Sequence, residues 1–355
     1  MKLLIASDIV PTAKTEKLFV DGELDRLFND VRTVIARSDR LIVNLECALT
    51  DHETGIKKYG PCLKAAPGCA DALKALGVTD VMLSNNHVFD FGIRGLRDTM
   101  ENLERVGLPY TGVGENDEDS RKPYVIEKDG VKIGFINVCE HEYTYALPDR
   151  MGANPFDPFL TMQDIRKLKK EVDYVIVLYH GGKELCRYPS PRLRLLCREM
   201  VENGACAVIT QHSHCIGCYE NYKGAHILYG QGNFHFCYPD LSNDYWTTSL
   251  LVELDINDGV TINFIPFVTD EDSISLAKGD KYDEIMNAFY ERNESLKDGT
   301  WRDGWHEFCV RMKDGYIAKA NAERFPDFFA HYLDCEAHTD VWRELFPTWN
   351  LTNEK

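Results

Sequence analysis

The sequence predicts an α/β (α+β) fold in which a mixed sheet, or two packed sheets, is flanked by helices. Three observations carry this. Over the first 235 or so residues, short apolar runs alternate with helix-patterned segments. The links between strands include both crossovers and tight hairpins, which a purely parallel sheet does not use. From about Asp270 the texture becomes charged, aromatic and helical, as in FFAHYLDCEAHTDVWRELF, residues 328–346. We therefore expect a main domain over residues 1–268 and a helical C-terminal extension over residues 269–355 packed on it.

In order along the chain, Leu3 to Ala6, Leu41 to Val43 and Val81 to Leu83 are short apolar strands. Between and after them lie helix candidates at 21–36, 67–76 and 93–106, the last with apolar positions at 93, 96, 100, 103 and 106. Tyr124 to Glu127 and Val131 to Val138, joined through Lys128-Asp129-Gly130, read as a hairpin. Val172 to Tyr179 is a buried strand, 191–203 a helix ending near Gly204, and Ala207 to Thr210 and His226 to Tyr229 further strands. A second hairpin joins Ser249 to Ile256 and Val260 to Phe264 through Asn257-Asp258-Gly259. The glycines of Gly230-Gln231-Gly232 point to a turn or a close backbone approach.

The net charge of -17 argues against nucleic acid as a partner class, because phosphate-backbone binding needs clustered Lys and Arg. It argues equally against an anionic membrane surface. The apolar run at the N-terminus is too short for a signal-peptide core, and no stretch approaches the roughly 18 apolar residues of a spanning helix. With twelve scattered cysteines read as reduced thiols, the chain reads as cytoplasmic. Nothing in the sequence sets the oligomeric state.

Five apolar strands each run into a residue able to ligate a metal: Asp8, Glu46, Asn86-His87, His180, and His212 with His214. Ligands bind at the carboxyl ends of strands in open α/β sheets, so these residues are expected on one rim. Taken singly, each has a plainer explanation. A strand-ending Asp caps a turn, Asn tolerates tight turns, and a buried histidine is commonly a satisfied one. Taken together, oxygen and imidazole donors suit one or two divalent transition ions (Mn, Zn or Fe). A paired centre would clamp a phosphoryl oxygen and activate a water. A zinc site from His212, His214, Cys215 and Cys218 is an alternative use of the CIGC segment. Glu140-His141-Glu142 ends a strand and either lines the pocket, with His141 toward substrate, or is a solvated loop. Arg187 and its basic neighbours after His180 either meet an anionic group or form a solvated face. His52, His226, His235, His306, His331 and His338 stand in no comparable context.

The segments SDIVPT (7–12), NLECALT (44–50), SNNHVFDFGIRGLRDTMENLERVGLPYTGVGEN (84–116), YHGGKELCRYPSPRLR (179–194) and ITQHSHCIGCYENYKGAHILYGQGNF (209–234) resemble the bacterial capsule-synthesis family typified by CapA, the poly-γ-glutamate capsule protein. That family in turn resembles the calcineurin-like metallophosphatases. The resemblance implies a double β-sheet sandwich with outer helices. It implies Asp8 and His214 on one metal, Glu46 bridging, and Asn86, His180 and His212 on the second. His87 takes the catalytic place beside the substrate. Asn44 is, with His141 and Arg187, a candidate substrate contact. The chain departs from the phosphatases in carrying Ile9-Val10 where they have the second residue of an Asp-x-His pair, and Asn44-Leu45-Glu46 where they have an aspartate. The expected activity is a phosphoesterase-like, metal-dependent hydrolysis of an anionic small molecule or polymer by an activated water. The alternatives are a capsule or poly-γ-glutamate protein that cleaves or transfers an amide, or a non-catalytic assembly factor.

Overall fold

A computed structural model describes residues 1–238, 243–320 and 326–347. Two sheets lie face to face. The first runs in the order Ile274–Leu276, Val260–Thr269, Thr248–Ile256, Lys2–Ile9, Arg40–Leu45, Asp80–Met82, Tyr110–Thr111, with Asn233–His235 pairing alongside Lys2–Ile9. The second runs Ile216–Tyr222, Ala225–Gln231, Ala207–Gln211, Tyr174–His180, Val131–Cys139, Tyr124–Lys128. In both, the central strands pair in parallel; hairpins make the antiparallel edges of the second sheet and one edge of the first, whose other edge, Tyr110–Thr111, is parallel.

Strand alternation explains why the sheets stack. Leu3 and Ile5 point inward to meet Ile133, Phe135, Ile176, Leu178, Ile209 and Leu228 of the other sheet in one buried cluster. Leu4 and Ala6, one residue out of phase, belong to the opposite face with Phe19, Leu73, Leu96 and Leu103 of the outer helices. The second sheet does the same: Val175, Val177 and Val208 face Ile165, Leu196 and Met200 of the helices Pro158–Leu168 and Pro191–Glu202. Both helices start on a proline after a capping side chain, Asp157 or Ser190, so their first-turn N–H groups are satisfied.

The expected double-sheet sandwich flanked by helices is what the chain forms, with a helical C-terminal region. Two local expectations differ, and one strand was not anticipated. The segment 21–36 is not one helix but two short ones, Leu24–Phe28 and Arg32–Ile35, broken at Asn29 with φ +38°. The segment Ile216–Tyr222 is an edge strand that the CIGC pattern concealed. After the second hairpin the chain adds the strand Ile274–Leu276 to the first sheet, and helices begin only at Gly279.

Among the described residues four helices follow: Gly279–Asp298, Trp301–Ala320, Pro326–Asp334 and Glu336–Leu345. The first closes one end of the inter-sheet core with Ile285, Met286 and Phe289. The other three share a separate cluster, Trp305, Phe308, Cys309, Tyr316, Tyr332 and Val341, which includes Cys186 from the loop after Tyr174–His180. Residues 321–325 and 348–355 of the expected extension lie outside the described residues. No helix among the described residues is long and apolar enough to cross a membrane, and all twelve cysteines are free thiols.

Candidate metal centre

The strand ends converge. Lys2–Ile9 delivers Asp8, Arg40–Leu45 delivers Asn44 and leads to Glu46, Tyr174–His180 ends on His180, and Ala207–Gln211 leads to His212 and His214. Asn85, Asn86 and His87 follow Asp80–Met82. All of these side chains are buried. His180 Nε2 lies 3.0 Å from Asn86 Oδ1 and 3.3 Å from Glu46 Oε1. The rings of His180 and His212 are 4.9 Å apart, and those of His212 and His214 5.8 Å. One ligand atom each from Glu46, His212 and His214 falls within 4.8 Å of the others.

Three atoms in this cluster are orphans. Both carboxylate oxygens of fully buried Glu46 and the Nδ1 of His212 have no hydrogen-bond partner. An unpaired buried carboxylate is costly unless a cation completes it. A carboxylate, three imidazoles and an amide oxygen form a donor set that suits a transition ion. The residues therefore fit a metal.

Surrounding groups hold these donors in place. Asn85 donates from Nδ2 to Asn44 Oδ1 at 3.1 Å and accepts from the backbone N–H groups of His87 and Val88. Asn44 donates to Asp8 Oδ1 at 2.7 Å. Asp8 Oδ2 accepts from the His212 backbone at 3.3 Å, and the Asp8 carboxylate faces the Nδ1 atoms of His180 and His214 at 3.8 and 3.6 Å. Asp8 and Asn44 thus stand behind the rings. The His212-Ser213-His214 turn is itself strained, with φ +87° and +52° at its two histidines. Such conformations cost roughly 1–3 kcal/mol each and cluster where function requires them. Gly230, at φ +118°, makes room for the turn, since a Cβ there would sit 2.6 Å from Ser213 Oγ.

Burial, then the Glu46 charge, raises the Asp8 carboxyl above its ordinary value. Burial and the neighbouring His212 push His180 down to about 3. Burial also disfavours charge on His212, but Glu142, with a carboxylate oxygen 3.4 Å from Nε2, outweighs it and lifts the ring to about 9.

A cavity of about 390 Å³ opens beside the cluster, lined by Asn86, His87, Glu142, Lys58, Lys183 and residues of the C-terminal helices. His87 Nδ1 lies 2.6 Å from Asp90 Oδ2, and Lys58 Nζ is 2.6 Å from the other oxygen of Asp90. This leaves His87 Nε2 for a ligand. Sequence reasoning missed Asp90 and Lys58, although the i,i+3 spacing of His87 and Asp90 within one turn is a usable signal.

Three expected substrate contacts do not line this cavity. Asn44 is fully buried against Asp8 and His180. His141 is tied to Glu336, its backbone N–H at 2.9 Å and Nδ1 at 2.7 Å from the carboxylate. Arg187 lies over the Tyr245 ring, 3.9 Å from its centroid. Of Glu140-His141-Glu142 it is Glu142 that lines the cavity, accepting from Asn86 Nδ2 at 3.0 Å. Cys215 and Cys218 fall in no metal-holding group among the described residues. Burial pushes their thiols up to about 11 and about 12.

Residues 2–238 match the model of the family described as "Bacterial capsule synthesis protein PGA_cap". The chain is 28% identical over 287 residues to "Capsule biosynthesis protein CapA" of Bacillus anthracis, covering 77% of this chain and 68% of the relative. It is 30% identical over 236 residues to "PGA biosynthesis protein CapA" of Bacillus subtilis, covering 64% and 61%. Among solved structures, a hypothetical protein from Thermus thermophilus shares the fold at TM-score 0.50 and 15% identity, over 76% of this chain and 100% of that one. The chain belongs to the PGA_cap family of bacterial capsule synthesis proteins.

Proposed function

We propose that the protein is a metal-dependent hydrolase acting on an anionic ester, a phosphoester first of all. The observation that carries this is the Glu46 carboxylate, fully buried with no hydrogen bond to either oxygen and a ring of imidazoles around it, the nearest being His180 at 3.3 Å. Glu46, Asn86, His180, His212 and His214 would hold one or two ions, Mn, Zn or Fe. Asp8, whose oxygens already serve Asn44 and the His212 backbone, positions the rings, a role common for carboxylates behind metal-bound histidines. This moves Asp8 from the ligand place that the family resemblance implied. When bound, such an ion supplies Lewis acidity and lowers the pKa of a water.

The chain's own residues supply the rest. Asp90 fixes the His87 ring through Nδ1, so that Nε2 is presented to the cavity. From there His87 donates a proton to the leaving oxygen or a hydrogen bond to the oxygen gaining charge. Lys183 lines the cavity and is the cation there that can meet an anionic group, while Lys58 is paired with Asp90. The burial of the centre and the helices over it limit the entry of bulk water.

A second reading rests on the printed names of the Bacillus relatives, which concern capsule and PGA biosynthesis. In that reading the same centre cleaves or transfers an amide of an anionic γ-glutamyl polymer. Elemental analysis of the purified protein, followed by assay with added Mn on phosphomonoesters, phosphodiesters and γ-glutamyl amides, separates the two. Turnover of esters alone supports the first reading and of amides alone the second. Absence of bound metal at neutral pH overturns both.

A further inference from the structure

Glu142, His331 and His338 each bring one ligand-type atom to within 4.8 Å of the other two. All three line the 390 Å³ cavity. Both histidines lie outside the residues that match the family model. We infer that Glu142, His331 and His338 form a further divalent-cation site, adjoining the strand-end centre through the contacts of Glu142 with Asn86 and His212, which takes Zn²⁺ or a similar ion with mixed imidazole and carboxylate ligands and keeps an open position toward the cavity.

The backbone is shaped for this cluster. His331 is in the helix Pro326–Asp334 and His338 in Glu336–Leu345. In one continuous helix, residues seven apart stand about 10 Å apart along the axis. The break before Glu336 instead brings the two rings to 5.0 Å between centroids, edge to face at 75°. Glu142 reaches them on a loop whose next residue, Tyr143, is held at φ +69°, a conformation that non-glycine residues adopt at a cost.

The side chains around the cluster resemble the outer shell of a metal site. Tyr316 Oη lies 2.6 Å from His338 Nδ1, which fixes the ring and leaves Nε2 free to ligate. Tyr143 stacks on His331 at 4.5 Å. Both histidines are about 8% exposed, so their ring nitrogens depend on nearby partners rather than bulk water. Three protein ligands with an open position on a cavity is the pattern of reactive zinc sites, whereas closed structural sites use four. Lys183 lines the same cavity, and its charge opposes a cation there. The Glu142 carboxylate, and any anionic ligand entering the cavity, offsets that charge.

The test uses the full chain and Zn²⁺ alone. Zinc stoichiometry is measured for the natural protein, for His331→Ala/His338→Ala, and for Glu46→Ala/His214→Ala, which leaves every Glu142 contact in place. Amide exchange of the helix Glu336–Leu345 is followed with and without zinc. The inference expects the His331/His338 variant to bind one ion fewer. It also expects the Glu46/His214 variant to keep one ion that slows exchange in that helix. Equal stoichiometry in the natural protein and the His331/His338 variant, with zinc-independent exchange, overturns it. His338→Gln, which can still bond to Tyr316, provides a second route if the double variant fails to fold: it should lower zinc affinity at least tenfold, and unchanged affinity overturns the inference. Loss of every ion in the Glu46/His214 variant also overturns it, whereas retention of full stoichiometry there counts against the strand-end centre alone.

Discussion

The floor of the cavity is made by strand ends and its roof by helices, and the two are held by different physics. Every floor residue is within a few positions of a strand whose register is locked by a ladder and by two buried faces. The roof residues sit on helices that reach the sandwich through a small aromatic cluster and a few buried polar links. Chief among these is Arg192, which donates from Nη2 to Glu140 Oε1 at 2.6 Å and from Nε to Asp340 Oδ2 at 2.9 Å. One guanidinium thus joins a carboxylate beside the floor to one in the roof. The lesson is that chemistry placed on the floor is tied to global folding, while chemistry placed in the roof is tied to docking and can be lost separately.

Removing a floor ligand should have the largest effect. His212→Ala should abolish activity and lose bound metal together, with a lower Tm wherever the ion stabilises the native state. Metal analysis beside the assay checks this, and full metal occupancy would place His212 outside the donor set. Next, His87→Ala or His87→Asn should keep metal and fold while turnover falls about 10²–10⁴-fold. Metal lost as fully as in His212→Ala would make His87 a ligand.

Arg192→Ala breaks the link between floor and roof. It leaves Glu140 and Asp340 buried without their cation, at a cost of about 3 kcal/mol. Amide exchange should rise first in Glu336–Leu345 and leave Tyr174–His180 protected; uniform exchange would mean that roof and floor unfold as one.

A smaller, pH-dependent effect is expected at Glu220, away from the site. Burial raises its pKa, but the hydrogen bonds from Arg198, Arg194 and Tyr229 outweigh burial and leave it below the ordinary 4.5. A carboxylate lowered on folding stabilises fully above its unfolded value, and the gain is lost as pH falls through the folded value. Tm should therefore drop in acid below about 4.5, and Glu220→Gln should flatten that limb of the curve; an unchanged slope would show that Glu220 does not govern it. The smallest expected effect is none at all. Cys215→Ser and Cys218→Ser should leave metal stoichiometry unchanged, since both thiols are buried and neither falls in a ligand group.

The floor was legible because each apolar run stops at a ligand-type residue, a local pattern repeated at Asp8, Glu46, Asn86, His180 and His212. The sandwich was legible from strand alternation and two glycine-marked hairpins. The roof was not. HYLDCEAH reads as one uninterrupted helix, with no Pro or Gly to mark the break that brings His331 to His338. Nor does any local feature of Glu140-His141-Glu142 say which member faces the cavity. Glu142 is held there by Asn86 and His212, just before the left-handed Tyr143, while His141 turns away to Glu336. Asp90 and Lys58 were hidden for a related reason: a loop lysine finds its carboxylate only after the chain has closed on itself.

The strand Lys2–Ile9 lies mid-sheet, between Arg40–Leu45 and Thr248–Ile256, with Leu3 paired to Leu254. During synthesis at roughly 5–20 residues per second, its second neighbour emerges on the order of 10–50 s after its first. For that interval the strand has an open edge. The nascent chain must therefore be shielded or remain uncollapsed, and the fold belongs to the slow, high-contact-order class in which aggregation competes with completion.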